Sequence, residues 1–257
     1  MKYIIIEKKE RIGYIILNRP EKRNALNFDM VTEIKDQLLV YSKDESIKVI
    51  VIRSGSDTFC AGADLAYLQK MQSNTFEENL EDSEHLMELF YTIYTLNKIV
   101  IAQIKGHAIA GGCGLASVCD FSFATPDSLF GYTEVRVGFV PAIVMVFLLR
   151  KIGEGKAKEL LLSGNLIKAK EALEFGLINK VVEETDIHSF VFDFATKLCK
   201  QNSGQSMALT KQMIAAVQAK ELMDGLKYAA DKNARARNFS DCKQGIEAFL
   251  KKQALEW

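Results

Sequence analysis

The stretch HAIAGGCGLASVCD, residues 107–120, sets the reading of this chain. Glycine lacks the side chain that stabilises helices and strands, yet Gly106, Gly111, Gly112 and Gly114 crowd into an apolar run. A strand-like segment (99–110) precedes the cluster and a helix-like one (115–119) follows it. The glycines therefore put free backbone N–H groups at a helix start, where the positive end of the helix dipole can hold an anion or a developing oxyanion. A second such turn is DTFCAGADL, residues 57–65, in which Gly62 lies between Ala61 and Ala63 after the strand-like KVIVIRS (48–54). Two small-residue turns after two strands can converge at the strands' carboxyl ends. Taken singly, each also fits a tight strand-to-helix turn with no ligand. A dinucleotide fingerprint is incomplete, because Ser117 stands where the third glycine of GxGxxG belongs.

Outward from these turns, apolar and β-branched runs at 3–7, 12–18, 48–54, 99–105 and 120–124 read as strands. Helical patterns lie between them. Val31, Ile34, Leu38 and Tyr41 form one stripe behind the capping candidate Asn27, and 83–97 offers a second helix. The alternation predicts an α/β core with substantial parallel sheet. From about residue 141 the strand signal fades into helical patterns at 142–152, 154–163, 168–175, 187–201, 205–219, 221–235 and 243–252. The expected division is a core over 1–200 and a helical region over 201–257. QSNTFEENLEDSE, residues 72–84, is the most polar internal stretch and reads as a mobile loop over a cleft.

Composition narrows the function. Thirty-three basic residues balance thirty-three acidic ones, so no net field gathers polyanions and nucleic acid is not an expected partner. The five cysteines are odd in number, scattered and without metal spacing, as suits free thiols in a reducing compartment. MKYIIIEKKERIGYIILNRP reaches charge too soon for a signal-peptide core or a membrane span. A cytoplasmic protein without membrane insertion is expected.

LFGYTEVRVGFVPAI, residues 129–143, carries the candidate for proton transfer. Glu134 sits among Phe, Tyr, Val, Gly and Pro, and a carboxylate enclosed by apolar groups has its proton affinity raised, which suits a general acid and base near neutral pH. The alternative is a surface pair of Glu134 with Arg136. His85, His107 and His188 read as structural. Cys113 at a helix start would be an acidified nucleophile only with a base nearby, and none is evident.

LNRPEKRNALN (17–27), FCAGADL (59–65), IKGHAIAGGCGLASVCDFSFAT (104–125), FGYTEVRVGFVP (130–141) and LLLSGNLIKAKEALEFGLINKVV (160–182) resemble, in this order, the blocks of the crotonase superfamily of enoyl-CoA hydratases and isomerases. FSDCKQGIEAFLKK (239–252) is similar to its C-terminal motif. The resemblance implies an α/β ClpP/crotonase-like fold of repeated ββα units, with a C-terminal helical region that assembles a homotrimer or a dimer of trimers. It implies an acyl-CoA thioester as partner, with CoA entering as part of the substrate and neither a separate cofactor nor a metal. Carried over residue by residue, the N–H groups of Ala61 and Gly111 form the oxyanion hole and Glu134 moves the proton. Lys22, Arg23, Ala25, Ala63, Asp64, Leu65, Gly112, Gly114, Tyr132 and Thr133 complete the implied substrate contacts. The chain departs from the hydratase pattern at Gly114, where the first of two glutamates is usual, and at Ala142-Ile143-Val144-Met145, which replaces a glycine-rich segment. The run of blocks implies hydration of a 2-enoyl-CoA to a 3-hydroxyacyl-CoA, the methylglutaconyl-CoA type included. A lone carboxylate also suits a 3,2-enoyl-CoA isomerase or a decarboxylase, and loss of the first glutamate suits a non-catalytic acyl-CoA-binding protein.

Overall fold

In the computed structural model, which describes residues 1–257 with the side chain of Leu65 excepted, each strand-like run of the first half is a strand. In chain order the strands are Ile4–Lys9 (β1), Ile12–Leu17 (β2), Val49–Ser54 (β3), Ile99–Ile104 (β4), Ala108–Ile109 (β5), Phe121–Ala124 (β6), Leu129–Gly131 (β7), Ile167–Lys168 (β8) and Lys180–Val181 (β9). Six of them build a sheet of order β1-β2-β3-β4-β6-β9, parallel throughout except for the β1–β2 hairpin. The smaller sheet is β5-β7-β8. Twice the chain lays a strand in the large sheet and continues into the small one: β4 leads to β5, and β6 to β7.

Parallel strands must be covered on both faces, and the sequence supplies the cover. All six residues of β4 (IVIAQI) are buried. On one face packs Phe28–Lys43 (α1), which buries Met30, Val31, Ile34, Leu38 and Tyr41 and is capped by Asn27, whose side chain accepts from Met30 N. On the other, Ile187–Gln201 (α7) sets Ile187, Val191 and Ala195 against Ile12, Val49, Val51 and Phe123. The remaining helices are Leu65–Met71 (α2), Phe76–Thr95 (α3), Gly111–Val118 (α4), Ala142–Ser163 (α5), Ala169–Glu174 (α6), Gly204–Val217 (α8), Leu222–Ala236 (α9) and Ser240–Leu250 (α10). The two helical patterns at 142–152 and 154–163 are the halves of α5, broken at Gly153 (φ 75°, ψ 166°).

Two expectations are corrected. Residues 72–84 are mostly helix: Thr75 and Glu78 form a capping box that starts α3, and the polarity of the stretch is that of an exposed helix face. Strands also continue past residue 141, as β8 and β9, each only two residues long and so without a period for the sequence to display. Cys60, Cys113, Cys119 and Cys199 are buried free thiols, and Cys242 is half-buried. His188 Nδ1 meets the buried Gln103 amide at 2.9 Å, and His85 stacks on Phe28 at 3.9 Å, which are structural roles. No helix among the described residues is long and apolar enough to cross a membrane.

The C-terminal helices are tied to the core by charge as well as by packing. Lys211 of α8 donates to Asp120 Oδ2 (2.7 Å) and to the Lys98 carbonyl (3.0 Å), and Val100 N donates to the same Asp120 oxygen (2.7 Å). Burial raises the pKa of Asp120 and lowers that of Lys211, so the pair gains little over its hydrated state yet cannot lose one member cheaply. Lys211→Met is expected to lower unfolding stability by about 3 kcal/mol in urea titrations, and the double variant with Asp120→Asn by less.

Candidate active site

The two glycine turns meet. Cys60 pairs with Ala108 in a short parallel bridge, through Cys60 N to the His107 carbonyl (3.1 Å) and Ile109 N to the Cys60 carbonyl (3.0 Å). A Cβ placed on Gly62 would lie 2.8 Å from Ala110 Cβ and 3.4 Å from Gly111 N. Three of the four clustered glycines are required by the chain's approach to itself. A Cβ would stand 1.8 Å from the Asp57 carbonyl oxygen at Gly106, 2.2 Å from the Cys60 carbonyl oxygen at Gly112, and 2.2 Å from Val144 Cγ1 at Gly114. Gly111 differs, since among the described residues nothing stands closer to its Cβ position than Leu26 Cδ1 at 3.7 Å. Of the four, Gly111 alone is uncrowded at its Cβ position among the described residues.

Ala110 sets the direction of that amide. It is a non-glycine residue at φ 51°, ψ −126°, held by its N–H to the Gly131 carbonyl (2.7 Å). Such backbone strain persists only where surrounding structure enforces it. Helical hydrogen bonding resumes with Gly114 N to the Ala110 carbonyl (3.0 Å), and the N–H groups of Gly111, Gly112 and Cys113 have no backbone acceptor among the described residues. The α4 N-terminus is thus a cluster of unpaired donors reinforced by the helix dipole.

Glu134 emerges beside it. β5 and β7 are parallel partners with Ile109 opposite Gly131, so Gly111 and Glu134 leave the carboxyl ends of adjacent strands. Glu134 opens a 3-10 turn, Glu134–Val137, which ends at Gly138 with φ 75°. Its Oε2 is buried without a hydrogen-bond partner among the described residues, and burial raises the Glu134 pKa above the ordinary carboxylate value. Arg136 turns away and donates to Asn165 Oδ1 (3.1 Å), so the expected alternative of a Glu134–Arg136 surface pair is not formed. A part-enclosed carboxyl group with one oxygen unsatisfied suits proton exchange with a bound molecule.

The other expected contact residues fall in different settings. Ala61 N donates to the Arg23 carbonyl (3.0 Å), Arg23 being left-handed at φ 49°, so Gly111 supplies the unpaired donor of the two expected ones. Asp64 is buried, accepts from Ala66 N at the start of α2 and pairs with Arg19 Nη2 at 2.6 Å; it braces the turn. Tyr132 is wholly buried with its hydroxyl 3.3 Å from Ser117 Oγ, and Gly114 is sealed by Val144, so neither is positioned to touch a ligand. Burial pushes the Cys113 thiol up to about 12, which removes it as a nucleophile. Lys22, Arg23 and Ala63 are exposed, Thr133 is half-buried, and Ala25 is buried with its carbonyl accepting from Arg19 Nη1 (2.9 Å). The expected contact through Leu65 concerns a side chain outside the described residues. Sequence reasoning missed Ala110, since alanine carries no mark of a positive φ. It also missed Asn24, which is fully buried and joins the 19–26 segment to Ser54 Oγ and the Thr58 carbonyl, both at 2.8 Å.

The chain is similar to known proteins over nearly its whole length. The family model described as "Enoyl-CoA hydratase/isomerase" matches residues 7–257. A Thermus thermophilus protein with a provisional enoyl-CoA hydratase name is 38% identical over 246 residues, covering 96% of this chain and 97% of that protein. The crotonyl-CoA hydratase of Syntrophomonas wolfei is 34% identical over 253 residues, covering 97% and 95%. The crystal structure of human enoyl Coenzyme A hydratase domain-containing protein 3 superposes with a TM-score of 0.92 at 28% identity, covering 100% of both chains.

Proposed function

The chain belongs to the enoyl-CoA hydratase/isomerase family, and from that premise we propose that it hydrates a 2-enoyl-CoA to the 3-hydroxyacyl-CoA. The observation that carries the reading is the buried, unpartnered Glu134 Oε2 beside the unpaired Gly111 amide. Ionised Glu134 takes a proton from water as the hydroxide adds to C3, and negative charge passes through C2 to the thioester oxygen. Gly111 N–H holds that oxygen, joined by Ala61 N–H as the carbonyl of the surface residue Arg23 yields its place. Each fixed donor at a developing oxyanion contributes about 3 kcal/mol of barrier lowering. Neutral Glu134 then returns its proton to C2, so one carboxyl group serves as base and acid in turn. Lys22, Arg23, Ala25, Ala63 and Thr133 border the substrate, and CoA enters as part of it with no further cofactor.

The contact of Val144 with Gly114 favours a second reading. Hydrocarbon fills the place from which a second carboxylate would project, and moving a double bond between the 2,3 and 3,4 positions needs only one base. Incubation with 2-enoyl, 3-enoyl and 3-methylglutaconyl thioesters, followed by mass spectrometry and NMR, separates the two. A product heavier by one water supports hydration, and an isobaric product with a shifted double bond replaces it with isomerisation. Saturable binding with no conversion leaves only an acyl-CoA-binding role.

Residues 201–257 serve assembly in this reading, as a homotrimer or a dimer of trimers. Leu222, Met223 and Leu226 of α9 and Ile246, Phe249 and Leu250 of α10 are exposed apolar side chains that association would cover. The four buried free thiols support a reducing, cytoplasmic setting.

A further inference from the structure

The glycine at 114 and the apolar segment after Pro141 are two halves of one contact. Gly111 and Gly114 lie one turn apart on one side of α4. At Gly111 a Cβ would make only ordinary contacts among the described residues, with Leu26 Cδ1 at 3.7 Å and Gly62 Cα at 3.9 Å, whereas at Gly114 it would meet Val144 Cγ1 at 2.2 Å and Phe90 Cζ at 3.4 Å. Val144 is 5% exposed and Phe90 wholly buried. Behind them Phe147, the next turn of α5, packs against Phe90 (ring centroids 6.1 Å apart) and edge-on against Tyr94 (5.2 Å). One further turn along α4, Ser117 and Val118 line a cavity of about 760 Å³ together with Tyr94, Phe147 and Lys151. The Val144, Phe90 and Phe147 side chains therefore stand between the Gly111 end of α4 and a space that is already formed.

We propose that Val144, seated on Gly114 with Phe90 and Phe147 behind it, is a specificity-determining residue that ends the acyl pocket and restricts the site to short acyl thioesters with an apolar end. The inference rests on the reading of the site as one for acyl-CoA thioesters. A thioester oxygen on Gly111 N–H with its C2 toward Glu134 extends its acyl group along the side of α4 that Val144 closes. Forcing further methylenes into a packed wall displaces side chains from their rotamers, and a single methylene in such a pocket changes recognition about tenfold or more. The wall presents hydrocarbon alone, so an acyl end bearing a carboxylate would lose water and gain no partner there. That disfavours a methylglutaconyl substrate.

The test is calorimetric binding of two unreactive saturated esters, butyryl-CoA and octanoyl-CoA. Wild-type protein is expected to bind butyryl-CoA at least tenfold more tightly than octanoyl-CoA. Val144→Ala should move that ratio at least tenfold toward octanoyl-CoA by opening the Gly111 end of α4 to that cavity, and Phe147→Ala, which thins the wall from the cavity side, carries the test if Val144→Ala does not fold. Octanoyl-CoA bound by the wild type as tightly as butyryl-CoA would overturn the proposal, as would folded variants that keep the wild-type ratio. Binding of neither ester would overturn both this inference and the thioester reading beneath it. Because the esters do not react, a length preference stands on its own even if no hydration is found.

Discussion

Glu134→Gln is expected to lower kcat for hydration about a thousandfold, with the Kd of a saturated acyl-CoA ester nearly unchanged. Glutamine keeps the shape and the burial and removes the titrating proton, so steady-state rates and ester binding report different things. The wild-type rate should carry the same signature in pH. Burial raises the pKa of Glu134, the base must be ionised to begin, and kcat/KM should therefore climb with pH through a midpoint above 4.5. In Glu134→Gln that limb should be gone. Stability should change in the opposite sense. A carboxyl group whose folded pKa is raised binds its proton more tightly in the folded chain, so stability falls as pH climbs from the unfolded value through the folded one. At pH above both values the wild type carries an enclosed charge that the glutamine variant lacks, and Glu134→Gln should melt at a higher temperature there. The advantage should vanish in acid, below about pH 4, where both states of the wild type are protonated. A variant with unchanged turnover would remove Glu134 from the chemistry, whatever its melting temperature.

Gly112→Ala should be the most damaging of the small substitutions at the start of α4, lowering stability by about 3 kcal/mol and leaving little active protein. Its Cβ would lie 2.2 Å from the Cys60 carbonyl oxygen and 2.7 Å from Cys60 Cβ. That carbonyl cannot retreat freely, because it accepts from Ile109 N in the bridge that joins the two turns. Gly111→Ala makes the contrast. Its methyl group meets no atom of the described residues closer than 3.7 Å, so the variant should fold and melt near the wild type while the methyl crowds a ligand held on the Gly111 amide. Thermal melts and ester-binding titrations of the two variants check this: stability lost at 112, ligand affinity or turnover lost at 111. Equal melting temperatures for both would mean that the two turns are not locked as described.

The neighbourhood of the site is legible in sequence, and its internal roles are less so. Glu134 stands out because a charged residue in an apolar run has few folded fates, and the structure encloses it with one oxygen unsatisfied. The glycines at 111, 112 and 114 look alike in sequence, although a Cβ at 111 would make only ordinary contacts and the other two receive other parts of the chain. Asp64 and Tyr132 lie within the right motifs, but their side chains turn to Arg19 and Ser117. A motif fixes which residues are near a site, while the direction each side chain takes depends on what packs against it.

The strands of the first half, the Asn27 cap of α1, the parallel character of the core and the two turns that meet at its carboxyl ends can all be read from the chain before it folds. They follow from local periodicity and from the conformations glycine alone permits, and a single sequence displays both. Other features exist only once the chain is folded: Ala61 N–H is engaged by Arg23, Ala110 is held in a strained conformation, and Val144 occupies the space in front of Gly114. Each of these depends on atoms from segments distant along the chain coming within van der Waals or hydrogen-bonding range. Such proximity leaves no period or composition in the sequence around either partner.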